Sequence, residues 1–211
     1  MQLLMIRHGE TEWNRTGRWQ GNQDVPLSEA GRQRIVDLSR TVASWVCEST
    51  KIYSSDLTRA RDTAAALFPR HQQRILCEPR LREIGLGRWE GLNRQEIESR
   101  YQELFKAFDG PDEGSAPGGE TFGQCKERVR QWWDEQQAQW SAVERVIVVA
   151  HGGSLRALLF ALIPDLPNSL RKHFALENLG VSVIQVDLPN LATVRCWNMK
   201  PEWIGRELNQ C

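Results

Sequence analysis

Two of the chain's four histidines follow short apolar runs and precede glycine, as Ile6-Arg7-His8-Gly9 and Ala150-His151-Gly152-Gly153. A neutral imidazole attacks phosphorus well and gives a labile N–P bond that water or a second acceptor can break. Arg7, next to His8, carries the forked N–H pattern that grips two phosphate oxygens at once. For His8 to act, its other ring nitrogen has to stay protonated, and a backbone carbonyl near Gly9 is the expected holder. An Arg-His-Gly tripeptide alone also describes an ordinary charged surface loop, so the surrounding pattern has to decide.

The elements that position these residues alternate. Gln2–Ile6 is an apolar run ending abruptly at Arg7-His8-Gly9, which predicts a buried strand running into a loop. Pro26-Leu27-Ser28 opens a helix to about Ala43, with Ser28 as N-cap. Lys51–Ser54 is a second strand, followed by a helix from about Leu57 that stops at Pro69. Arg74–Cys77 is a weaker third strand. Residues 94–108 and 122–140 carry helical periodicity around a Gly-, Pro- and acid-rich loop, Asp109–Gly119. Val146–Ala150 is the strongest strand and ends at His151, followed by a helix from Ser154 to about Ile163. Gly180–Val186 and Thr193–Trp197 complete the set as a hairpin around Pro189-Asn190.

This order predicts a three-layer α/β/α sandwich with a mainly parallel central sheet. Residues 1–211 form one domain, with 94–140 a helical lobe inserted between core elements and covering the site. Ligands of such sheets bind beyond the carboxyl ends of the strands, which is where His8 and His151 fall.

Composition narrows the function. The 211 residues are 40% hydrophobic and 26% charged, enough for a packed core. The 27 basic residues balance 27 acidic ones, which argues against a nucleic-acid or membrane-surface partner. Cys47, Cys77, Cys125, Cys196 and Cys211 form no Cys-x-x-Cys pair and no zinc spacing, so idle thiols in a reducing cytoplasm are expected. The first residues meet a charge too early for a secretory signal, and no apolar run is long enough to span a bilayer.

Longer blocks add a resemblance. Arg7-His8-Gly9-Glu10-Thr11-Glu12-Trp13-Asn14 and Arg18-Trp19-Gln20-Gly21 resemble the opening of the histidine phosphatase superfamily, the group that holds the cofactor-dependent phosphoglycerate mutases and related phosphatases. Ser54-Ser55-Asp56-Leu57-Thr58-Arg59-Ala60-Arg61 is similar to its second block, and Leu81-Arg82-Glu83-Ile84-Gly85 to its third. Pro117-Gly118-Gly119-Glu120-Thr121 and Val148-Val149-Ala150-His151-Gly152-Gly153 resemble the last two. The resemblance implies that His8 is phosphorylated, with Arg7, Arg59 and His151 around the phosphoryl group. It makes Glu83 the general acid, in preference to Glu78 or Glu90. Asn14 and the amide of Gly152 are implied as further phosphate donors, Gln20 and Gly21 as mouth residues, and Glu120 as a neighbour of backbone close to the substrate. Arg61, His71 and His173 are expected to be structural or superficial.

After Glu83, the Ile84-Gly85-Leu86-Gly87-Arg88-Trp89-Glu90-Gly91 sequence and the compact interval to His151 resemble the phosphatase branch rather than the mutases. The expected activity is therefore phosphomonoester hydrolysis on a small phosphorylated metabolite, without cofactor or metal. An α-ribazole phosphatase-like enzyme leads the expectation. Phosphoserine or broad-specificity phosphatase, phosphoglycerate mutase, and a non-catalytic phospho-ligand binder stand as alternatives. An edge strand near the C-terminus would suit a homodimer.

Overall fold

The structure, a computed structural model, describes residues 1–110, 114–140, 143–187 and 191–200. Six strands form one sheet: β1 (Gln2–Arg7), β2 (Lys51–Ser54), β3 (Ile75–Cys77), β4 (Arg145–Ala150), β5 (Val181–Asp187) and β6 (Leu191–Met199). Their order is β3-β2-β4-β1-β5-β6. The first four are mutually parallel, and β5 and β6 add an antiparallel pair beyond β1. The mainly parallel sheet expected from the sequence is present.

Strand side chains alternate between two apolar layers, as a pleated strand buried on both faces requires. Leu3, Met5, Val146 and Val148 face one layer; Leu4, Ile6, Ile147 and Val149 face the other. Two helices, α2 (Glu29–Val42) and α3 (Thr58–Leu67), cover the second layer with Ile35, Leu38, Ala64 and Leu67. The first layer is closed by α6 (Phe122–Gln137) and α7 (Gly152–Leu162). Short α1 (Glu12–Arg15) follows the first histidine, and α4 (Arg94–Arg100) and α5 (Gln102–Asp109) lie between β3 and α6.

Local chemistry sets the boundaries. Ser28 caps α2 as expected, its Oγ accepting from the Gly31 amide at 3.0 Å. The helix expected over 94–108 breaks at Tyr101, whose backbone (φ −137°, ψ 38°) leaves the helical region while its ring packs on Trp89. The next helix stops at Gln137 rather than 140, and Trp140 turns in to donate its indole N–H to the Tyr53 hydroxyl at 3.3 Å. Part of the expected lobe therefore belongs to the sandwich: Trp132 of α6 meets Tyr53 of β2 edge-on at 5.2 Å, while α4 and α5 form the outlying piece. The seventh helix begins at Gly152, two residues before the expected Ser154, because Ser154 Oγ accepts from the His151 amide and starts the turn early. Pro189-Asn190 and Cys211 lie outside the described residues.

Candidate active site

Parallel register puts the two histidines together. Arg7 of β1 pairs with Ala150 of β4, so the residues that leave these strands, His8 and His151, emerge side by side. His8 N donates to Ala150 O at 2.9 Å, and the two rings stand 5.1 Å apart. Ser55, just past the end of β2, joins them through His151 Nε2 at 2.9 Å.

The hydrogen bonds fix both tautomers. His8 Nδ1 lies 2.7 Å from Gly9 O, and a carbonyl only accepts, so Nδ1 carries the proton and Nε2 keeps its lone pair. Arg59 Nε, which only donates, lies 3.2 Å from His151 Nδ1, so the His151 proton sits on Nε2 and points to Ser55 Oγ. Burial, followed by the arginines nearby, holds both imidazoles well below their usual 6.5 and keeps them neutral.

The surrounding loop is tied down around His8. Gly9 N donates to Thr63 Oγ1 at 2.9 Å. Asn178 Nδ2 donates to His8 O at 3.0 Å and also reaches Gly9 O and Asn14 Oδ1. Asn14 Oδ1 also accepts from Thr11, which leaves the Nδ2 of Asn14 for a ligand. Arg59, fully buried at the start of α3, sends Nη1 to Gln23 O at 2.6 Å and Nη2 to Gly21 O at 2.7 Å. Burial lowers its pKa to about 10, opposed by Glu83 and Asp24, and it stays cationic at neutral pH.

Arg7, His8, Asn14, Gln20, Gly21, Arg59, Glu83 and Gly152 line one cavity of about 510 Å³ at the carboxyl ends of the parallel strands. Trp13 and Trp19 line it too. His151 sits fully buried beside it, its Nδ1 accepting from Arg59 Nε at 3.2 Å and its ring 5.1 Å from that of His8. Among the described residues, five cations (Arg7, Arg18, Arg59, Arg156 and Lys172) and one carboxylate, Glu83, face the space, in a chain of zero net charge. Arg7 Nη1 donates to Leu176 O, while its Nε is enclosed without a partner among the described residues. Burial pushes that guanidinium below its ordinary range, with Glu83 opposing. The arrangement is a receptor for an anion.

Glu83 is anchored by one oxygen. Its Oε1 accepts from the amides of Ile84 at 2.9 Å, Gly153 at 2.8 Å and Ser154 at 3.2 Å, the last two at the positive end of α7. Oε2 is left near Arg7 and Gly152. A Cβ on Gly153 would collide with Oε1, so glycine there permits the approach. Glu120 has a different place from the one expected: it lies off the cavity, accepting from Gly85 N and pairing with Arg128, which in turn donates to Glu83 O at 3.0 Å. Glu120 and Arg128 therefore brace the loop that carries Glu83. Glu78 pairs with Arg80, and Glu90 accepts from Asn22 and Gln23, so neither competes for the cavity. His71 and His173 lie outside it.

Arg156, Asn178, Ser55 and Arg128 were not singled out by sequence. One signal existed for Arg156, the lone charge in the apolar stretch Gly152–Leu162. Among the described residues no group of three His, Cys, Asp or Glu is placed to hold a metal ion, and no helix is long and apolar enough to cross a membrane.

Comparison with known families decides the class: the model of the histidine phosphatase superfamily (branch 1) matches residues 3–200. The chain belongs to the histidine phosphatase superfamily. Relatives named as phosphatases bear out the enzyme class expected from the sequence, a phosphoric monoester hydrolase. A glucosyl-3-phosphoglycerate phosphatase of Mycolicibacterium vanbaalenii is 36% identical over 168 residues, 77% of this chain and 74% of that protein. A mycobacterial glucosyl-3-phosphoglycerate phosphatase solved with VO3 superposes with a TM-score of 0.84 at 30% identity, covering 94% of this chain and 99% of the other. An Escherichia coli protein with a provisional α-ribazole-5′-P phosphatase assignment gives a TM-score of 0.83 at 26% identity over 94% of this chain and 96% of its own.

Two expectations follow. Both buried histidines are neutral when folded and titrate near 6.5 when unfolded, so the unfolded chain binds more protons below that pH. Stability should be fully present above about pH 6.5 and fall as the pH is lowered, by up to about 1.4 kcal/mol per pH unit for each histidine. Urea unfolding between pH 7.5 and about 5 measures this slope, and replacing both histidines by Asn should flatten it. Gly153→Ala should leave the protein folded, by melting temperature, yet lower kcat about a hundredfold by displacing Glu83.

Proposed function

We propose that this chain hydrolyses a small phosphorylated metabolite through a phosphohistidine formed on His8. One observation carries the reading: the lone pair of His8 Nε2 shares a cavity with the half-buried Arg7 guanidinium, whose enclosed Nε has no partner among the described residues. A phosphoryl oxygen supplies that partner and brings phosphorus to the nitrogen.

In the first step His8 Nε2 bonds to phosphorus while the P–O bond to the alcohol breaks. Arg7 and Arg59 gather the equatorial oxygens, helped by the Asn14 side chain and the Gly152 amide. Glu83, held by its Oε1, delivers a proton from Oε2 to the departing alkoxide. In the second step the Glu83 carboxylate takes a proton from water as the water oxygen attacks phosphorus. The N–P bond breaks, inorganic phosphate leaves, and Glu83 is again protonated. His151 supports both steps from behind by orienting Arg59, while Gln20 and Gly21 border the mouth.

For the substrate itself, likeness to glucosyl-3-phosphoglycerate phosphatases in both sequence and structure supports a phosphorylated small metabolite. The α-ribazole ester is one member of that class, supported by a structural likeness at 26% identity.

Release of phosphate from p-nitrophenyl phosphate tests the chemistry. His8→Ala should abolish it, and retained turnover in that variant would overturn the assignment. Glu83→Gln should slow alkyl phosphates far more than p-nitrophenyl phosphate, since only the poor leaving group needs the proton; equal slowing would remove Glu83 as the acid.

A further inference from the structure

The turn that leads into β5, residues 176–180, wraps the backbone of Arg7. Leu176 O accepts from Arg7 Nη1, Leu179 N donates to Arg7 O at 3.1 Å, and Gly180 O accepts from Arg7 N at 3.2 Å. Leu179 is buried and takes a left-handed backbone (φ 61°), which a leucine keeps only where its surroundings hold it there. Strand β6 supplies part of that hold. Trp197 Nε1 donates to Ala175 O at 2.7 Å, and Asn198 Oδ1 accepts from Glu177 N at 2.8 Å.

From this turn Asn178 reaches two separate parts of the site. Its Nδ2 lies 3.0 Å from His8 O and 3.3 Å from both Gly9 O and Asn14 Oδ1. Peptide carbonyls only accept, so the nitrogen edge of the Asn178 amide has to face inward. Asn14 must then answer with its oxygen, and Thr11 N, at 3.1 Å from the same oxygen, makes the same demand. The Asn14 Nδ2 is thereby turned away from both donors, on a residue that lines the cavity. Gly9 O is also the acceptor for the His8 Nδ1 proton. One amide thus ties the carbonyl that sets the His8 tautomer to the side chain that offers a phosphate donor.

We propose that Asn178 is a positioning residue of this site, fixing the Asn14 amide in the orientation that presents Nδ2 and setting its place relative to His8. It acts through Asn14 and the His8-Gly9 backbone rather than on the substrate. This rests on the phosphomonoesterase reading above and adds a residue to that same site. The left-handed Leu179 is the local cost of turning Asn178 back onto the strand end.

A double-mutant cycle of Asn178→Ala with Asn14→Ala separates positioning from packing. Two quantities are read in all four proteins: the affinity for inorganic phosphate, by calorimetry, and kcat/KM on p-nitrophenyl phosphate. Asn178→Ala should weaken phosphate binding about tenfold in the native background, the effect of one hydrogen bond to a charged group. In the Asn14→Ala background the same change should cost at most about twofold, because the side chain it positions is gone. The same pattern is expected in kcat/KM. Asn178→Asp sets a carboxylate oxygen against three oxygens and should lose at least as much as Asn178→Ala. A residue that only packs would give losses that multiply, and multiplying losses in the phosphate cycle overturn the proposal. So does an Asn178→Ala protein with native phosphate affinity. Where Asn178→Ala does not fold, Asn178→Ser, which shortens the donor's reach, runs the same cycle. A native enzyme that binds phosphate but releases none from p-nitrophenyl phosphate overturns the parent reading instead, and the affinity cycle still decides the role of Asn178. A native enzyme with no phosphate affinity overturns both.

Discussion

The in-register pairing of β1 with β4 is the constraint from which the site follows. Because Arg7 sits opposite Ala150, the next residue of each strand leaves the sheet at the same height, and His8 and His151 meet without any loop having to find the other. A slip of one residue would turn Leu3 and Met5 toward the wrong apolar layer and separate the rings in the same stroke. Packing of the two layers thus fixes the chemistry as firmly as it fixes the fold.

Around that pair the protein holds positive charge away from bulk water with too little negative charge to match it. Peptide carbonyls of Gly21, Gln23, Leu176 and Gly152 carry part of the load, each accepting from a guanidinium. The same enclosure that disfavours charge on the imidazoles keeps His8 neutral, the form that the proposed phosphohistidine step needs. Burial therefore serves two ends at once: it readies the nitrogen and leaves the arginines in need of an anion.

Much of this was legible before any coordinates. Apolar runs ending in histidine marked the strand ends, Ser28 marked a helix start, and Glu83 and Arg59 fell in blocks that resemble one family. What escaped were contacts across long separations between side chains of ordinary type. Asn178 reaches His8 from 170 positions away in an irregular stretch, and nothing in its neighbours signals that reach. The brace of Glu120 and Arg128 was hidden similarly, since the glycines beside Glu120 suggested closeness to substrate when they serve the turn. The helix break at Tyr101 depends on an aromatic contact with Trp89 that periodicity does not register.

Glu83 is pinned to the start of α7, and His151 is the residue just before that start. Between these two anchors, ahead of α6 and β4 of the sandwich, the outlying pair α4 and α5, with the Phe108 that faces the cavity, forms an excursion from that point. Such an excursion can lengthen, shorten or be exchanged over generations while its endpoints stay fixed. A lineage built on this plan is free to try new leaving groups without having to reinvent the reaction.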